Sequence, residues 1–161
     1  VKDGLREPTH RDIPSLLDET LGTYRPSQGQ KRKWMSYRKV NLGEAIAIFE
    51  QTGVDVAGYA HTIDDSALEH IWRLHGPHGS QLHRGMLPLS AEDIHRIPEI
   101  TAHPDRIENG GSTPAGVDTI RYFKRTNGWV FYLEEQRTGR KELAAKTMKK
   151  FDHEPKESDL A

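Results

Sequence analysis

The chain has 161 residues, no cysteine, 34% hydrophobic and 29% charged residues, and a net charge of −1 with its nine histidines neutral. That length builds one domain with a core and a less buried arm, and the missing thiols exclude disulfides, thiolate metal sites and a cysteine nucleophile. No apolar run reaches the roughly 18–20 residues of a membrane span, no signal peptide is visible, and no global basic field announces nucleic acid, although protonation below about pH 6.5 would turn the histidines positive.

Residues 1–41 are polar, broken by Pro8, Pro14, Gly22, Pro26 and Gly29, and read as a linker in which Ile13 to Leu21 makes a brief helix. The run Gln30-Lys31-Arg32-Lys33-Trp34 joins three cations to an aromatic, which suits either a flexible basic linker or RNA docking. The texture changes at Leu42. Gly43 to Gln51 reads as a helix stopped by Gly53, and Val54 to Ile63 as a strand or extended lead-in. A second helix starts at Asp64-Asp65-Ser66, with a Ser66…Glu69 capping-box spacing, and carries Leu68, Ile71, Trp72 and His75 on one face. Gly76-Pro77 ends it, and residues 76–88 form a loop. Ser90-Ala91-Glu92-Asp93 opens a third helix, lined by Ile94, Ile97 and Ile100 and limited or kinked by Pro98.

Arg106 to Glu108 reads as a first strand, and three more follow a Gly-rich connection: Val117–Arg125, Trp129–Gln136 and Lys141–Lys149. If Asn127-Gly128 is a two-residue loop, residue 121 lies opposite 134 and 123 opposite 132. One face then holds Ile120, Tyr122, Lys124, Trp129, Phe131 and Leu133 and packs on helices; the other holds Arg121, Phe123, Arg125, Val130, Tyr132 and Glu134, continued by Leu143, Ala145 and Thr147. Arg, Tyr, Glu and Thr on one face suit a phosphate-bearing ligand. A solvated face with a cross-strand Arg121–Glu134 pair is the alternative. Residues 152–161 read as a charged, frayed tail.

Seven of the nine histidines lie between positions 61 and 103. His75-x-x-His78 and His78-x4-His83 fall in metal-ligand range, but no HExxH is present and the intervening Gly and Pro do not make a rigid cage, so no metal is expected. His75, ending a helix at the edge of its apolar face, is pulled up by the helix C-terminus and down by burial. A pKa near neutrality would suit general acid or base work; the alternative is a histidine capping the last carbonyls.

The order Glu69-His70-Ile71-Trp72-Arg73-Leu74-His75-Gly76, Leu89-Ser90-Ala91-Glu92-Asp93-Ile94, Ile97-Pro98-Glu99-Ile100, Pro104-Asp105-Arg106-Ile107, Tyr122-Phe123-Lys124, Tyr132-Leu133-Glu134-Glu135 and Ala145-Lys146-Thr147-Met148-Lys149-Lys150 resembles the phage-associated branch of the barnase–EndoU–colicin–RelE-like (BECR) nuclease superfamily, over roughly His61 to Phe151. The resemblance implies an α+β fold over residues 42–151, N-terminal helices packed on a four-stranded antiparallel β-meander, with residues 1–41 a linker or delivery-associated segment and 152–161 a charged tail. It implies a toxin domain that is a metal-independent endoribonuclease, cleaving tRNA or another structured RNA by 2′-OH attack without a cofactor. It further implies a cognate immunity protein or antitoxin as partner, and secretion or phage delivery into a target-cell cytoplasm. Residue by residue, His75 matches the acid/base, Lys124 the strand cation that contacts phosphate, Glu134 the acidic residue and Thr147 the hydroxyl of the catalytic set. His70, Arg121 and Tyr132 are supporting substrate-binding candidates. The register above sets Lys124 on the face opposite Glu134 and Thr147, which leaves Arg121 or Arg125 as alternative phosphate contacts. An ADP-ribosyltransferase toxin using Glu134-Glu135, and a non-enzymatic phage or secretion-system binding domain, are the other two readings.

Overall fold

A computed structural model describes residues 7–23 and 32–160, and among these the chain forms five α-helices and a mixed seven-stranded sheet. Helix α1 (Ile13–Thr23) follows Asp12, whose carboxylate accepts the Ser15 amide at 2.8 Å. Strand β1 (Trp34–Lys39) takes up the end of the basic run; Gln30 and Lys31 lie outside the described residues. Helix α2 (Leu42–Thr52) is capped by the Asn41 side chain and stopped by Gly53 at φ 77°, a conformation glycine adopts without steric cost. Strand β2 (Ala60–Asp64) runs straight into helix α3 (Asp65–His75). The N-cap of α3 is Asp64, which accepts the Ala67 amide at 2.8 Å, so the expected Ser66…Glu69 box is not the cap. Asp64 is already extended at the end of β2, which is the backbone an N-cap needs.

Strand β3 (Met86–Leu87) precedes helices α4 (Ala91–His95) and α5 (Ile97–Ala102). The Ser90–Asp93 capping box forms, and the expected kink at Pro98 is a full break between two helices. Pro98 sits in the first turn of α5, where no N–H is missed. Strands β4 (Arg106–Ser112), β5 (Asp118–Arg125), β6 (Trp129–Arg137) and β7 (Glu142–Phe151) make the expected antiparallel meander. The sheet does not stop at four strands. Its order is β1-β2-β7-β6-β5-β4, with β2 parallel to residues 142–144 of β7 and β3 antiparallel to residues 150–151.

The register corrects the expected faces. Arg125 pairs with Trp129 across a three-residue connection, Thr126-Asn127-Gly128, closed by the Thr126 amide on the Gly128 carbonyl at 2.8 Å. Residue 121 therefore faces 133, not 134, and every side chain of β6 changes sides relative to β5. A bulge follows in β7, where Leu133 pairs with Thr147 and Glu134 with Ala145, leaving Lys146 as the extra residue. The helix-covered face consequently carries Ile120, Tyr122, Val130, Tyr132, Glu134, Leu143, Ala145 and Met148. The opposite face carries Arg121, Phe123, Phe131, Leu133, Thr147, Lys149 and Phe151, with the three Phe rings forming a second cluster.

The described parts of both expected flanks are built into the fold. Within the 1–41 segment, Ile13, Leu16 and Leu17 enter the main core, each contributing about 1.5–3 kcal/mol by burial, and β1 joins the sheet. Residues 152–160, expected to fray, turn back over the second face: Pro155 is buried and Leu160 packs on the Phe cluster.

Candidate active site

Strand β2 accompanies β7 only as far as Ala144, and β3 begins at Lys150, so the intervening edge of β7 carries no strand partner on that side among the described residues. Helix α3 lies against β7 there. Between them is a pocket of about 390 Å³ whose chemistry comes from His70, His75, Thr147, Lys149, Lys146 and Arg137. The pocket thus unites three expected site residues: His75, His70 and Thr147. Lys149 and Lys146 are additions, although Thr147 and Lys149, two apart on a strand, share a face on pattern alone.

His75 is 2% exposed, and among the described residues its buried Nδ1 atom has no hydrogen-bond partner, nor has Thr147 Oγ1. The main chain fixes the ring's position. The His75 carbonyl accepts the Leu89 amide at 2.8 Å, and the Gly76 amide donates to the Trp72 carbonyl at 3.0 Å. A Cβ at position 76 would come 2.5 Å from that Trp72 oxygen, so the turn out of α3 requires glycine. Burial, then the nearby Lys149, His70 and His83, push the His75 imidazole down to about 4. Burial outweighs the helix C-terminus, and the ring is neutral at physiological pH. The His70 ring stands nearly edge-on to His75, with centroids 6.4 Å apart, and burial followed by Arg73 lowers its pKa too. Lys149 is half-buried, burial lowers its pKa, and it makes no ion pair among the described residues. Two carboxylates line the pocket and both are engaged: Asp64 caps α3 through the Ala67 amide at 2.8 Å, and Glu135 accepts Lys146 at 3.0 Å and Arg137 at 3.2 Å. Against the burial that would raise it, those two bonds pull the Glu135 pKa down. What is left open is a neutral base, a hydroxyl and an unpaired ammonium, a set that calls for an anion.

The structure does not bring the other expected residues to this pocket. Glu134 is fully buried beneath the helices. Its Oε2 meets His61 Nδ1 at 2.8 Å and accepts the Tyr37 hydroxyl at 3.2 Å, while Oε1 accepts Tyr122 at 2.8 Å. His61 Nε2 meets Glu44 Oε2 at 2.7 Å, and Arg38 donates to the same oxygen at 2.6 Å. Tyr132 is buried in the same core. Lys124 does share the Glu134 face, contrary to the expected register. It lines a separate cleft beside α2 and the α5–β4 turn, donating to the His103 carbonyl at 2.7 Å. Arg121 points from the opposite face and is held by Glu157. The slipped turn carries Glu134 and Tyr132 into the core and the bulge parts Thr147 from them, whereas Arg121 keeps the face of Thr147 and stands two strands away.

Among the described residues no cluster of three or more His, Asp or Glu is arranged to hold a metal ion, and no helix is long and apolar enough to cross a membrane. A family model described as phage-Barnase-EndoU-ColicinE5/D-RelE like nuclease 3 matches residues 38–157. The chain belongs to this family of nucleases. No curated protein and no solved structure matches the chain. The family match takes in α3, the β7 edge and therefore the whole pocket, and a nuclease domain implies a nucleic-acid substrate.

Proposed function

We propose that the domain is a metal-independent endoribonuclease whose active site is the α3–β7 pocket. The observation that carries this reading is the convergence of a neutral buried His75, the unpartnered Thr147 hydroxyl and the unpaired Lys149 in one cavity. Neutral His75 takes the proton from the ribose 2′-OH, and the 2′ oxygen attacks the adjacent phosphorus. The bond from phosphorus to the 5′ oxygen breaks, Lys149 gives that oxygen its proton, and Thr147 donates to a non-bridging oxygen of the crowded phosphorane. The products are a 2′,3′-cyclic phosphate and a free 5′-OH. DNA, without the 2′-OH, has no nucleophile and is spared.

A pocket at a strand edge admits an unpaired loop more readily than a continuous duplex, so tRNA or another folded RNA with exposed loops is the substrate class. An enzyme that cuts tRNA endangers the cell that makes it, and the reading calls for a cognate immunity protein and for action in a recipient cell's cytoplasm.

The test mixes the purified chain with total tRNA and with matched DNA in EDTA. RNA-only cutting that survives EDTA and leaves cyclic phosphate ends is the expected result; cutting of both polymers, or dependence on added metal, would overturn it. Lys149→Gln supplies a second check. Losing one charged phosphate contact should weaken RNA binding about 10–100-fold, the equivalent of roughly 1.5–3 kcal/mol. Unchanged affinity by fluorescence anisotropy would remove Lys149 from the site.

A further inference from the structure

The sheet face opposite the helices leads away from the pocket in two cross-strand rows. Thr147 pairs with Leu133, Leu133 with Arg121 and Arg121 with Glu108; Lys149 pairs with Phe131, Phe131 with Phe123 and Phe123 with Arg106. At about 4.8 Å per strand, Arg121 lies roughly 10 Å from Thr147 and Arg106 roughly 15 Å from Lys149. Both arginines are thus on the face of the proposed active-site groups, within reach of the nucleotides that flank a bond held in the pocket.

Neither guanidinium is vacant. Arg121 holds Glu157 in a two-pronged pair, NH1 to Oε1 and NH2 to Oε2, both at 2.9 Å. Arg106 lies 3.9 Å above the Phe123 ring and donates to Glu154 at 2.7 Å. Glu108, on β4 itself, lies 3.1 Å from Arg106 Nε and 3.5 Å from Arg121 NH1. Glu154 and Glu157 belong to the segment 152–160, which Leu160 seats on the Phe cluster. Between segment and sheet lies a cleft of about 570 Å³ lined by Arg106, Glu108, Glu154, Lys156, Glu157 and Leu160.

The fork that takes a carboxylate with two parallel bonds takes a phosphate in the same way. The side chains of Glu157 and Glu154 are 78% and 53% exposed, so both carboxylates are open to solvent and to exchange with another anion. We propose that Arg121 and Arg106 form a phosphate-binding subsite for the RNA strand flanking the cleaved bond, and that Glu157 and Glu154 occupy it as phosphate surrogates until RNA displaces them. The subsite rests on the ribonuclease reading of the pocket. It also bears on the absence of net basic charge, since Asp152, Glu154, Glu157 and Asp159 of this segment offset cations elsewhere in the chain.

The test compares the full chain with Glu154→Gln/Glu157→Gln, both changes being at exposed positions, with circular dichroism confirming the fold. The probe is a fluorescein-labelled, fully 2′-O-methylated RNA oligonucleotide, which offers no nucleophile and stays intact. Unmodified tRNA is cut in parallel. The double variant should bind the probe about 5–10-fold more tightly at low salt. The slope of log K against log salt should steepen by about 1.4, or 0.7 for each added single-strand phosphate contact. Adding Arg121→Ala should erase most of the gain. Equal affinity and slope in the two proteins, with tRNA still cut, would overturn the subsite and leave the ribonuclease reading standing. A gain that survives Arg121→Ala would overturn it as well. Failure of both proteins to bind the probe or cut tRNA would bring down the reading itself, and the subsite with it.

Discussion

His75→Ala is expected to lower RNA cleavage by about 10²–10⁴-fold, the range contributed by a positioned general base. His75 already stands neutral, held at about 4 by burial and by its cationic neighbours, so it needs no deprotonation before it can act. The pH–rate profile should therefore stay level as pH falls from 8 to 5 and drop only toward 4. An ordinary histidine base would lose activity below about pH 6.5. His70→Ala should cost less, since His70 acts on its neighbour's ring environment. Stability follows the same group with a definite sign. Its folded pKa lies below the unfolded value of 6.5, so between about 6.5 and 4 the unfolded chain binds a proton the folded chain refuses, and stability falls as pH falls. His75→Ala should relieve part of that acid sensitivity. Cleavage that persists unchanged in a folded His75→Ala protein would move the chemistry elsewhere.

The sequence carried the strands of the meander clearly, because β5 and β6 are dense in β-branched and aromatic residues. Helix α3 was equally legible from its apolar spacing and from Gly76. The site was legible only in part, and the reason is arithmetic. Asn127-Gly128 signals a two-residue turn, yet Thr126 joins it, and one residue is enough to carry Glu134 and Tyr132 from an open face into the core. A bulge at Lys146 has no signature of its own beyond a break in alternation. Strand β1 has no clear signal in the sequence because Trp34-Met35-Ser36-Tyr37-Arg38-Lys39 follows a basic run and forms an edge, where pairing with β2 decides what composition does not. The C-terminal segment reads as a frayed tail because it is dense in charged residues. Its order comes from Leu160 and from arginines contributed by β4 and β5.

Glu134→Ala should act on stability, not on chemistry. Glu134 and His61 are both wholly buried and face each other at 2.8 Å, with Tyr37 and Tyr122 donating two further hydrogen bonds to the carboxylate. Removing one partner from such a pair leaves its neighbours' polar groups without compensation, at a cost of about 3–5 kcal/mol. For a chain of this size that corresponds to a Tm lowered by roughly 6–20 °C. Against the burial that would lower it, Glu134 and then Glu44 hold the His61 pKa up at about 9. Since that lies above the unfolded value of 6.5, the stability it supplies is complete below about 6.5 and is lost as pH rises through 9. On the acid side, burial would raise Glu44, but His61 and Arg38 bring it to about 2, so its contribution is lost only as pH falls from about 4.5 toward 2. Glu134→Ala should erase much of the alkaline decline, because His61 then has one carboxylate in place of two. Differential scanning calorimetry across pH 5–9 reads both the drop and the flattened slope. Cleavage measured well below the new Tm should stay within a few-fold of the original. A collapse of activity with little change in Tm would instead return Glu134 to the reacting atoms, and would require the pocket to extend through the sheet to the network beneath α2.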